Sequence, residues 1–239
     1  MKLLSGPHRN AKIAKSNNKT AKYLGDIMHL APYKLSGYQV CSSASAGCIA
    51  ACLNTSSFHQ KLDSTQNARI NRTKMFFEDR AAFETKLRKE IDALVRKGKR
   101  EGKKIAVRLN GTSDLQWETL LPTLFTDYPD IQWYDYTKHF NRMMKYCNGE
   151  LPSNYHLTFS KSENNAEKCE KVLTAGGNVA IVFSGKELPE YYEGYPVVDG
   201  DASDFRFLDD DNVIVGLAAK GDAKTDDTGF AISLVELTV

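Results

Sequence analysis

The sequence predicts an α/β protein, specifically an open, partial (βα)6 barrel with a mostly parallel sheet and outer helices. Three observations carry that expectation. From residue 103 onward, β-branched apolar runs alternate with amphipathic segments, the pattern of strand-then-helix units. The runs are short and continuously apolar, as in strands covered on both faces of a parallel sheet. Six such strands are countable, fewer than a closed eight-stranded barrel needs, and the glycine-rich fingerprint of a dinucleotide-binding sheet is missing.

Residues 1–22 read as a basic arm, with Lys2, Arg9, Lys12, Lys15, Lys19 and Lys22 and no acid, and 23–239 as a single α/β domain. Such a charge run is either a solvated surface or a contact for nucleic acid. Residues 23–35 turn apolar and lead into a first strand at 38–40. A polar loop follows at 54–67, then one long helix or two over 68–97, where Ile70, Phe76, Phe83, Leu87, Ile91 and Leu94 recur at helical steps and Gly98 marks the end. KKIAVRLNG (103–111) is a strand, followed by a helix at 115–125 behind the caps Thr112, Ser113 and Asp114. The unit recurs in IQWYDYTKH with FNRMMKYC, in YHLTFSKS with ENNAEKCEKVLTAG, in NVAIVFSG and in VIVGLAAKG. Residues 186–212 interrupt the rhythm, with a short edge strand at Val197 and Val198. Asp199, Asp201 and Asp204 there lack the final Glu of a calcium loop and suit turns and caps. The tail, GFAISLVELTV, alternates as a terminal strand.

Three of the five cysteines, Cys41, Cys48 and Cys52, stand in a C-x6-C-x3-C spacing among Ser, Ala and Gly. Cys48 and Cys52 lie one helical turn apart, on one face. Buried free cysteines are ordinary packing residues, but three so close together read as ligands for a soft metal. Zinc sites favour C-x2-C knuckles, which this stretch lacks. A 4Fe-4S cluster on three thiolates, which leaves one iron open, is the preferred assignment. His29 is either a fourth ligand or a hydrogen-bonded core residue; Cys147 and Cys169, in outer helices, either pack or complete a four-cysteine site. In parallel α/β folds, ligands lie at the carboxyl ends of the strands. That nominates Asn110, Ser113 and Ser160 for cofactor binding and Asp114, Asp135 and Lys138 as acid-base groups, each acid set against a plainer role as cap or ion-pair partner. No segment is apolar enough to span a bilayer or to act as a signal peptide, so a cytoplasmic protein with reduced thiols and no membrane partner is expected.

The segments HLAPYKLSGYQVC, CIAACLNT, RTKMFFEDRAAF, RLNGTSDLQWE, YDYTK, YHLTFSKSEN, VDGDASDFRF and VIVGLAAKG together resemble the gene product 88 family of phages and plasmids, over nearly the whole chain. No established reaction comes with that family. A more distant resemblance is to radical S-adenosylmethionine enzymes, in which a cysteine loop follows the first strand of a six-stranded partial barrel. It implies S-adenosylmethionine on the open iron, although the common motif there is C-x3-C-x2-C. Two functions follow as expectations. One is an iron-sulfur protein, in its fullest form a radical S-adenosylmethionine-like enzyme of unknown substrate. The alternative is a non-enzymatic accessory protein that binds a host protein, or nucleic acid through its basic arm, with a structural metal site. Thiol redox chemistry at Cys48 and Cys52 ranks last, for want of a C-x-x-C pair.

Overall fold

The computed structural model describes residues 1–18, 20–185 and 187–233, with side chains undescribed at 55, 58 and 59. Its strands are β1 (Tyr23–Ile27), β2 (Lys104–Arg108), β3 (Ile131–Thr137), β4 (Tyr155–Ser160), β5 (Val179–Phe183), β6 (Tyr191–Tyr192), β7 (Tyr195–Asp199), β8 (Ile214–Ala218) and β9 (Ala231–Ile232). The helices among them are α1 (Ala11–Ser16), α2 (Tyr33–Ser36), α3 (Ala46–Ala50), α4 (Phe58–Lys61), α5 (Asp63–Glu78), α6 (Arg80–Glu101), α7 (Trp117–Leu120), α8 (Thr123–Asp127), α9 (Phe140–Cys147) and α10 (Ala166–Thr174). Together they make a mixed α/β protein with a nine-stranded sheet in the order β1-β2-β3-β4-β5-β8-β7-β6, with β9 beside β5, and the sheet is not closed. The described pairings of β1–β2, β2–β3, β4–β5, β5–β8, β5–β9 and β7–β8 are parallel; β6–β7 is antiparallel. No helix among the described residues is long and apolar enough to cross a membrane.

The chain divides into two compact units, Met1–Ser42 with His59–Asp135 and Pro152–His156, and Ser43–Phe58 with Tyr136–Leu151 and Leu157–Val239. In the first, β1 pairs in register with β2, Tyr23 opposite Lys104 and Ile27 opposite Arg108. Helix α6 presents Phe83, Leu87, Ile91, Leu94 and Gly98 on one buried face, the spacing of an amphipathic helix. Phe83 and Phe76 close around Trp117, with ring centroids 6.2 and 5.1 Å away. Each of these large side chains contributes roughly 2 kcal/mol by leaving water. Residues 1–17, expected in the basic arm, belong to this core: Leu3, Leu4 and Ile13 are buried, and Leu4 bridges Met28.

The first strand is β1, and not the expected 38–40. Ser36 takes the Tyr38 N–H a ladder would use there: its hydroxyl oxygen accepts it at 3.2 Å, and the hydroxyl proton faces the carbonyls of Ala31, Pro32 and Tyr38. The Val40 carbonyl in turn accepts Asp114 N–H at 2.7 Å. Where one helix or two were allowed over 68–97, there are two, divided at Asp79, whose carboxylate accepts Ala82 N–H as the cap of α6. That helix runs past Gly98 to Gly102, which has φ 65°, a left-handed cap suited to glycine.

In the second unit Phe140 packs edge-on to Phe159, and Phe183 to Tyr192. A smaller apolar cluster of Ala51, Ala219, Ala223 and Phe230 has Cys48 and Val182 packed against it. The expected edge strand is β7, paired with β8 through Val197 and Val198. Only β9 represents the tail among the described residues; 234–239, which complete the expected terminal strand, lie outside them.

Candidate functional site

In the first unit the chemistry-bearing residues gather at the carboxyl ends of β1 and β2, around the turn at 110–114. Asn110 builds that turn. Its Oδ1 accepts from Ser113 Oγ at 2.8 Å, Leu115 N at 3.0 Å and Trp117 Nε1 at 2.9 Å, while its Nδ2 donates to Leu115 O. Asp135, at the end of β3 and 2% exposed, accepts Asn110 N–H and the Tyr155 hydroxyl, both at 2.7 Å. A carboxylate with a charge-assisted bond on each oxygen is well satisfied in a buried setting. Asn110, Ser113 and Asp135 therefore form one network, and its product is the fixed course of the turn.

Two further groups meet the same turn. The Cys41 thiol donates to Thr112 O at 3.9 Å. His29, buried, approaches Gly111 so closely that a Cβ there would stand 2.9 Å from its Cδ2 and 3.0 Å from its Nε2. The other ring nitrogen, Nδ1, is 3.3 Å from Ser5 Oγ. Imidazole, thiol, hydroxyl and the half-buried Asp114 thus belong to one local assembly.

In the second unit Ser45 caps α3, accepting Cys48 N–H, and donates to Glu163 Oε2 at 2.7 Å; Glu163 Oε1 accepts Gly47 N–H at 2.9 Å. Burial alone would raise the Glu163 carboxyl, but these donors hold it below the usual carboxylate range. Gly47 is required there because a Cβ would collide with Thr228 and Phe230. Glu163 thereby fixes the helix that carries Cys48. Sequence reasoning missed it: an acid after a strand resembles any surface acid, and its partners are distant in the chain. Ser43 Oγ lies 2.9 Å from His139 Nδ1. Lys138 Nζ sits 5.5 Å from the Phe230 ring centre, a cation over an aromatic face. Ser160, at the end of β4, is half-buried, and its carbonyl accepts Asn165 Nδ2.

Cys41 belongs to the first unit and Cys48 and Cys52 to the second. All three are half-exposed, and thiolate is a ligand type that suits a soft metal. Among the described residues no three His, Cys, Asp or Glu side chains are gathered in a metal-holding group. Cys147 is half-buried like them, and Cys169 is buried. Burial raises the Cys147 thiol, and pushes that of Cys169 up to about 11. Cys147 Sγ would lie 2.9 Å from a Cβ at Gly177, so it fills space where helix and strand connect.

The model of the family described as gene product 88 matches residues 2–234. No curated protein and no solved structure matches the chain.

Proposed function

We propose, from the premise that the chain belongs to the gene product 88 family, that it is an iron-sulfur protein in which Cys41, Cys48 and Cys52 supply three thiolates to a 4Fe-4S cluster. The observation that carries this is the contrast in burial: these three thiols are half-exposed and close in sequence, whereas Cys169 is buried and its thiol is pushed up to about 11. When bound, such a cluster offers an open iron to a small ligand. S-adenosylmethionine is the ligand proposed, with a radical S-adenosylmethionine-like reaction on an unknown substrate in the cytoplasm. Ser113 and Ser160 are proposed to contact it, and Asp114 and Lys138 to serve as acid-base groups. For Asn110 and Asp135 the hydrogen bonds support a positioning role, holding the turn that presents Ser113 and Asp114.

The finer architecture, a partial (βα)6 barrel, is part of the same proposal. Support comes from the first five strands, β1 to β5, which follow one another across the sheet in chain order; beyond β5 the order β8-β7-β6 runs in reverse.

The test is anaerobic purification with iron and sulfide analysis and an absorption spectrum, beside a variant with Cys41, Cys48 and Cys52 changed to Ala. About four irons per chain and a broad band near 400 nm, both lost in the variant, are expected. Zinc, or no metal after reconstitution, overturns the proposal. A cluster whose spectrum ignores S-adenosylmethionine keeps the iron-sulfur assignment and turns the function toward the accessory binding protein.

A further inference from the structure

We infer that a cavity in the first unit, between the N-terminal segment and α5, binds a phosphate-bearing small molecule. At about 400 Å³ it has the size of a small-ligand site. Lys2, Arg9 and Arg72 all stand on its wall, and among the described residues no Asp or Glu does. The three cations outnumber the two carboxylates that act on Arg72, Glu90 and Asp26, and the excess favours an anionic group such as a phosphate monoester.

The rest of the wall agrees with that charge. Ser64, Asn67 and Asn71 follow one another along α5 at three- and four-residue steps, with Ala68 and Arg72 four residues apart beside them. Ser64, Asn67 and Asn71 are exposed and, with Ser5 opposite, offer hydroxyl and amide donors for phosphate oxygens beside the apolar Met1, Leu4 and Ala68. Arg72 is set in place by two carbonyls, its Nε donating to Lys2 O at 2.7 Å and its Nη1 to His29 O at 3.3 Å. A guanidinium held this way keeps its fork oriented, the property that makes arginine suited to phosphate.

The neighbouring acids serve the backbone of the N-terminal segment. Glu90 accepts Leu3 N–H and Leu4 N–H at 2.9 Å and lies 3.7 Å from Lys86, while Asp26 accepts Gly6 N–H at 2.9 Å. These carboxylates pin residues 3–6, and the cations on either side of them line the cavity. Of the basic N-terminal run, Lys2 and Arg9 thereby stand on the wall of the cavity.

The test is calorimetric titration of the full-length protein at low salt with pyrophosphate, adenosine monophosphate and adenosine, on wild type and on a Lys2→Gln, Arg9→Gln double variant. Both substituted side chains are exposed, so an unchanged melting temperature confirms folding. Saturable binding of pyrophosphate or the nucleotide but not of adenosine, weakened about tenfold or more in the variant, is expected. Equal affinity in the variant, no saturable binding, or binding confined to a twelve-nucleotide single strand overturns the inference; the last assigns the wall to a nucleic-acid backbone. The titration needs no metal, so its failure leaves the iron-sulfur proposal standing.

Discussion

At the scale of single residues, two positions show how the turn and the N-terminal segment constrain their neighbours. A Cβ at Gly111 would collide with the Met28 carbonyl oxygen and press on the His29 ring. Backbone cannot give way as a flexible side chain can, so Gly111→Ala should cost about 2 kcal/mol or more, read as a lower urea midpoint. Asp26 offers a pH readout. Burial, opposed by the N–H groups of Ile27 and Gly6 and by Lys2 and assisted by Glu90, raises its carboxyl from 3.8 to about 6. Between those values the folded state holds a proton that the unfolded state has released. The acid's contribution is therefore full below about pH 4 and is lost as pH rises to about 6, a change on the order of 3 kcal/mol. Asp26→Asn keeps an oxygen for both N–H groups and does not titrate. The stability difference between wild type and variant should then shift across that window in favour of the variant; a difference flat from pH 4 to 7 would refute the raised value.

At the scale of elements, periodicity made α6 and strands β2 to β5 and β8 legible, because each buries a face or a run that the sequence writes out in apolar residues. What it could not show were contacts made by polar side chains over long distances. The stretch 38–40 has strand-like composition, yet Ser36 and the 110–114 turn take its backbone groups. Gly98 illustrates the same limit. As a sequence signal it ends a helix; in the fold it lies inside α6, where a Cβ would stand 2.9 Å from Lys103 O and collide with the Ile105 side chain. Replacing an interior helical glycine by alanine normally stabilises by about 1 kcal/mol. Here the backbone collision outweighs that gain, and Gly98→Ala should lower the melting temperature. Asp79→Ala, which removes the cap on α6, should cost about 1 kcal/mol.

At the scale of the whole molecule, the cysteine spacing and the polar strand ends were legible. The engagement of Asn110 and Asp135 was not, since Tyr155 and Trp117, their partners, carry no sequence signal beyond being aromatic. Cys48 is where packing and ligation have to be told apart, because its side chain lies against Ala51, Ala219, Ala223 and Phe230. Cys48→Ser conserves volume and places a hydroxyl on that half-exposed patch, a change of about 1 kcal/mol in the metal-free protein. In a chain of this size that is a drop of about 2–4 °C. A ligand that binds only the folded state adds stability in proportion to the logarithm of its concentration over Kd. Anaerobic loading with iron and sulfide should thus raise the melting temperature of wild type and leave Cys48→Ser where it was, widening the gap between them. A gap of the same size with and without loading would make Cys48 a packing residue and remove it from the cluster.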